Sequence, residues 1–138
     1  MKKFCLTAIT IAALALPTQR LHAEIFSSQA LALAEQYVTI IDSADFEQAY
    51  RTASRYLHLT QPSEEWLWEQ NRSRQLLGAV LTRQLKTVRS RDAYPSLPDG
   101  DYLIVCYEAR AEHKQKAIEV LLLKQEAGEW LVCKYSIR

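Results

Sequence analysis

Glycine is scarce in this chain: three in 138 residues, beside four prolines, three cysteines and one methionine. So few glycines make a phosphate-cradling loop hard to build, and neither a Gly-x-Ser-x-Gly elbow nor a His-Glu-x-x-His pair occurs. The common hydrolase, nucleotide-binding and zinc-protease patterns are therefore set aside. A charge excess is missing too: 17 Lys+Arg stand against 16 Asp+Glu, a formal +1, which gives no reason to expect a nucleic-acid partner. The histidines beyond the N-terminal segment, His58 and His113, each lack a second ligand at metal-site spacing, and no Cys-x-x-Cys occurs, so no metal and no cofactor are implied. Long apolar runs are confined to residues 4 to 17, where Pro17, Gln19 and Arg20 end the run before the roughly 20 residues a membrane helix needs.

What is present is the composition of an ordinary globular domain, 49% hydrophobic and 24% charged. At this length one core is expected, preceded by a leader. Lys2 and Lys3 followed by the apolar run and by Leu21-His22-Ala23 make residues 1 to 23 a predicted signal peptide, cleaved after Ala23. The product would be periplasmic or secreted, with no stable membrane span. Cleavage removes Lys2, Lys3 and Arg20, so 14 basic side chains remain against 16 acidic ones, a charge of −2.

Residues 27 to 77 repeat their apolar positions at helical spacing and residues 80 to 138 alternate or run in short blocks, which predicts an α+β fold with helices first. Three helices are expected: from Ser27 or Ser28 to about Asp42, from Asp45 to about Leu57, and from Ser63 to Leu77, where Gly78 ends it. Four strands follow, over residues 80–89, 101–110, 116–125 and 129–137. The short polar turns between the last three favour an antiparallel meander, and the Tyr94-to-Gly100 segment, with two prolines, is a loop.

Strand parity sorts the sheet into two faces. One carries Tyr102, Ile104, Cys106, Ile118, Val120, Leu122, Leu131, Cys133, Tyr135 and Ile137, and its apolar character predicts that it packs on the helices. The other carries Leu103, Val105, Tyr107, Glu119, Leu121, Leu123, Trp130, Val132 and Lys134. If the helices cover the first face, the second is left for a homodimer or an envelope protein, with Tyr107, Leu121, Leu123, Trp130 and Val132 as contact residues. The alternative is that the second face is the concave wall of the fold, with Trp130 in the core. In a meander Cys106 and Cys133 sit two strand spacings apart, about 9 to 10 Å, beyond the about 7 Å a disulfide tolerates, so two free thiols are expected.

The spaced motifs resemble the exported bacterial protein-of-unknown-function family 4019. Ile40-Ile41-Asp42 with Asp45-Phe46 matches the family's pattern at the first helix junction. Trp66, Arg74, Leu77-Gly78 and Arg83 match at the same spacings, and so do Pro98-Asp99-Gly100 with Tyr102, Lys114, Glu119, Trp130, Val132 and Tyr135. Leu76, Ala111, Lys134, Tyr37 and Tyr50 depart from it. The resemblance implies an NTF2-like, cone-shaped fold of helices on a curved sheet over residues 24–138, and no established activity.

Candidate sites then come from the residues themselves. Trp66, Arg74, Arg83, Tyr102 and Tyr135 are the candidates for a ligand pocket in the cone. A pocket wall without an acid or histidine on the apolar face makes a ligand-binding or protein-interaction module the first reading, and an isomerase- or dehydratase-type enzyme the alternative. No catalytic residue is assigned. Glu65 and Glu69, one turn apart, are read as a wet helix face. Arg72, Arg74, Arg83, Lys86, Arg89 and Arg91 form a basic band free of acids, which either meets a small anionic ligand or divides between helix and strand. Arg74 and Arg83, at family motif positions, are expected to ion-pair with Asp42 or Glu119.

Overall fold

The computed structural model describes residues 18–138, with side chains from 27 onward. The expected signal peptide, residues 1 to 23, lies outside them except for the backbone at its end. Four helices, α1 (Thr18–Asp42), α2 (Phe46–Arg51), α3 (Arg55–Thr60) and α4 (Ser63–Leu77), precede four strands, β1 (Val80–Arg91), β2 (Tyr102–Ala111), β3 (Lys114–Glu126) and β4 (Glu129–Ile137). The strands form one curved antiparallel sheet in the order β1-β2-β3-β4, the expected α+β meander.

The helices depart from expectation at two points. α1 extends back to Thr18, because Leu21, Ala23 and Glu24 offer no break, so Ser27 and Ser28 lie inside it rather than at its start. The second predicted helix is two: Ser54 ends the run by giving its backbone N–H to the Val132 carbonyl of β4, at 2.8 Å, and its hydroxyl caps α3 by accepting from Leu57 N. That long-range bond turns α3 around the edge of β4.

The larger correction concerns the sheet faces. Leu103, Val105, Tyr107, Leu121, Leu123 and Val132, assigned to the outward face, form the main core with Ala30, Ala34, Tyr37, Val38 and Ile41 of α1, Phe46 and Ala49 of α2, and Trp66 of α4. Leu121, Leu123 and Val105 are fully buried, and Trp130 is half-buried against the same cluster. An interface built on Tyr107, Leu121, Leu123, Trp130 and Val132 is therefore overturned, since the protein's own helices cover them; the concave-wall alternative describes them. Ala30 and Ala34, both at 0% exposure, let α1 approach the sheet closely enough to do so.

Parity misled because the opposite face is greasy as well. Tyr102, Leu122 and Cys133 are buried there under Tyr56 of α3 and under Tyr94 and Leu97 of the β1–β2 loop. The strand pattern also slips: the register between β3 and β4 shifts from Leu122↔Lys134 to Leu123↔Val132, a bulge at Cys133. Beyond it Tyr135 opposes Leu121 and joins the core face. Cys106 and Cys133 are free thiols on strands separated by β3, as expected. No helix among the described residues is long and apolar enough to cross a membrane.

Candidate functional site

α1 ends at Asp42, which leaves its last carbonyls without helical partners. Arg74, in the last turn of α4, donates to the Asp42 carbonyl at 3.2 Å. The Asp42 carboxylate faces β1, where Arg83 donates to both its oxygens, Nη1 to Oδ2 and Nη2 to Oδ1, each at 2.9 Å. Arg83 can lie flat across the sheet because its neighbours in register are small: Arg83 opposes Ala109, which opposes Ala117, and both alanines are buried. The guanidinium therefore also reaches Glu119 on β3, through Nε to Oε2 and through Nη2 to Oε1 at 3.1 Å. The Tyr135 hydroxyl donates to the same Oε1 at 2.8 Å.

This quartet joins α1, β1, β3 and β4 at one end of the core. Glu119 has 0% exposure and Arg83 presents only 16% of its side chain to solvent. Burial alone disfavours the Arg83 charge, but the hydrogen bonds and charges of Asp42 and Glu119 outweigh it and hold the pKa above the ordinary guanidinium value. Tyr135 is held well above the ordinary phenol value, first by burial and then by the Glu119 carboxylate. Bidentate pairing and three bonds to one carboxylate leave little capacity unused, which is the signature of a structural tie.

The space beside the quartet agrees. A cavity of about 20 Å³ lies against Asp42, Gln70, Ser73, Arg74 and Tyr135. That is room for about one water and for no organic substrate. Among the described residues no group of three His, Cys, Asp or Glu stands close enough to hold a metal ion. His58 is engaged with the Tyr50 carbonyl at 2.6 Å and with the Tyr50 ring.

A roomier site lies on the opposite side of the sheet. Because α3 wraps the β4 edge, a groove of about 490 Å³ opens between Tyr56 and Thr60 of α3, Glu65 at the start of α4, Tyr94, and Lys134 and Arg138 beside β4. This volume suits a small ligand or a short peptide. Lys134 and Arg138 form no ion pair among the described residues. A second hollow, about 730 Å³, is bordered by Ser27, Val88, Ser90, Arg91 and Trp130, and it adjoins residues whose side chains are not described.

The predicted pocket residues are thus divided. Arg74, Arg83 and Tyr135 meet in or beside the quartet; Trp66 is buried against Tyr50 with an edge on the groove; Tyr102 anchors the β1–β2 loop by donating to the Pro98 carbonyl. The expected ion pairing holds for Arg83, with both Asp42 and Glu119; Arg74 forms no ion pair among the described residues and meets Asp42 only at its backbone carbonyl. The basic band does not converge: Arg72 sits over the Trp68 ring, Lys86 lies 3.5 Å from Glu108, and Arg89 and Arg91 stand exposed. Missed by sequence reasoning were the Tyr135 hydroxyl on Glu119, hidden by the bulge, and the groove, which depends on the Ser54 bond.

A family model described as "Protein of unknown function (DUF4019)" matches residues 33–135. The chain belongs to the DUF4019 family. No curated protein matches it. All members of the quartet, and Arg74 with them, lie inside the matched span, and the positions that carried the resemblance at Asp42, Arg74, Arg83, Glu119 and Tyr135 are the ones the fold draws together. For this DUF4019 domain these five positions are accounted for by folding, and the groove meets the motif at Trp66 and Tyr135.

Proposed function

We propose that this DUF4019 domain is an exported accessory module of the bacterial envelope, NTF2-like in its helix-on-sheet cone, that binds a ligand or partner in the groove between α3, α4 and the outer side of β3 and β4. The carrying observation is the groove itself: aromatic walls from Tyr56 and Tyr94 beside two cations, Lys134 and Arg138, that form no ion pair among the described residues, against one acid, Glu65, in the lining. Such a lining suits a ligand with an apolar body and an anionic group. Catalysis has less support. The two carboxylates of the core, Asp42 and Glu119, are both committed to Arg83, and the adjacent space holds about one water. Native mass spectrometry of protein purified from its own envelope tests the reading. Retained ligand or partner mass, reduced by Lys134→Glu, supports it; a bare chain indifferent to that substitution counts against it.

A further inference from the structure

The hydrogen-bond pattern of β4 singles out its outer edge. Ile118 and Arg138 exchange both backbone bonds, at 2.8 and 3.1 Å, so they form a hydrogen-bonded pair of the antiparallel ladder. Alternation then makes Glu119↔Ile137 and Leu121↔Tyr135 the non-bonded pairs, with the N–H and C=O groups of Ile137 and Tyr135 turned away from β3. Ser54 closes the edge at Val132 only, and no other backbone bond reaches it from the described helices.

A second observation points to the same place. Gln70 of α4 is 7% exposed, lines the space beside Tyr135 and Ile137, and its amide forms no hydrogen bond among the described residues. Its two donors and one acceptor are therefore free to pair with a group that enters this space. Open space flanks this edge on both sides, the groove of about 490 Å³ and a hollow of about 190 Å³ at Glu69, Arg72 and Ser136. The other edge of the sheet is blunted: β1 carries two bulges and the exposed cations Lys86, Arg89 and Arg91, devices that discourage strand pairing.

We propose that the β4 edge from Tyr135 to Ile137 is a docking strand for an extended polypeptide segment of a partner protein, which adds a strand to the sheet and lays acidic side chains toward Lys134 and Arg138. The Gln70 amide pairs with the segment's backbone. A second copy of this chain is the poorer occupant, because α3 and α4 flank the edge and a β4-to-β4 pairing would bring both copies' helices together. The proposal rests on the binding-module reading and names the partner's chemistry.

The test is panning of a randomised hexapeptide library on the folded protein, with Ile137→Pro as counter-target. Proline at this position removes only the outward N–H, which the β3 ladder does not use. The expected result is enrichment of alternating acidic and apolar peptides whose affinity falls by about tenfold or more on Ile137→Pro and on Gln70→Ala, and on N-methylation of alternate peptide amides. Absence of enrichment, or binding indifferent to all three changes, overturns the proposal. So does a wild-type dimer that enriched peptides fail to dissociate. If Ile137→Pro does not fold, the N-methylated peptides and Gln70→Ala decide. Failed panning with a small molecule still retained in native mass spectra overturns the docking strand and leaves the binding module standing; loss of both overturns both.

Discussion

Replacing Arg83 by Met removes the charge that holds Asp42 and Glu119 together while keeping much of the side chain's volume. The two carboxylates then fare differently. Asp42 exposes 37% of its side chain and can be hydrated, so its loss is small, under about 1 kcal/mol. Glu119 at 0% exposure cannot be hydrated, and an uncompensated buried charge costs about 3 to 5 kcal/mol. Since a domain of this size holds about 5 to 15 kcal/mol in all, Arg83→Met should leave it marginal or unfolded. Glu119→Gln is the milder change, because Asp42 still balances Arg83 and the amide oxygen can accept from Tyr135 and Arg83 Nη2, while the NH2 is left facing Arg83 Nε, donor against donor, at a cost of about 1 to 3 kcal/mol. Urea titration followed by circular dichroism and tryptophan fluorescence measures both, with unchanged m-values as the check on two-state behaviour. A loss below about 1 kcal/mol for Arg83→Met, or a larger loss for Glu119→Gln, refutes the assignment of the quartet as a structural tie.

Three further outcomes follow from the same geometry. The Cys133 thiol, pushed up to about 12 by burial, should resist thiol reagents in the native protein while half-buried Cys106 reacts first, and unfolding without reductant should release both; failure to find both would mean a disulfide. Burial also raises Tyr37, Tyr102, Tyr107 and Tyr135, so the protonated forms stabilise the fold fully below their unfolded values, near 9 for the thiol and 10 for the phenols. The urea midpoint should fall as pH rises past those values, and a midpoint that stays level or climbs into strong alkali contradicts the burial of these groups. Trp130→Ala should cost about 3 kcal/mol without changing the oligomeric state seen by analytical ultracentrifugation, whereas loss of self-association with stability intact would restore the discarded sheet interface.

β2, β3 and β4 were legible because alternation or short apolar blocks survive in them, with β4 matching its expected residues from Glu129 to Ile137, whereas β1, largely exposed and without a period of two, was placed by Gly78 before it. Which face met the helices was not, since Tyr102, Leu122 and Cys133 are as apolar as Leu103, Val105 and Leu121, and the loop that covers the first set lies outside the strand pattern. The bulge at Cys133 then moved Tyr135 across the sheet, a one-residue slip that composition cannot reveal. The α2–α3 break depends on Ser54 meeting Val132, 78 positions away, so helix periodicity ran straight through it. Arg83 was readable as an ion-pair partner because it stands, with Asp42 and Glu119, at positions that carry the family resemblance. That Ala109 and Ala117 clear its path to Glu119 required the register.

The quartet ties the helices to the sheet, while the proposed binding lies in the groove and along the β4 edge. Replacing the buried ion pair by apolar side chains, Arg83→Met with Glu119→Leu, separates the two, because exchanging a whole buried ion pair for well-fitting hydrophobic groups is often neutral or stabilising, while Tyr135, which also borders the groove, is left in place. Native mass spectrometry of this double variant, purified from its native host beside the wild type, should show a folded chain that retains the same bound ligand or partner. A folded variant that has lost what the wild type retains would place the function in the quartet and contradict the account.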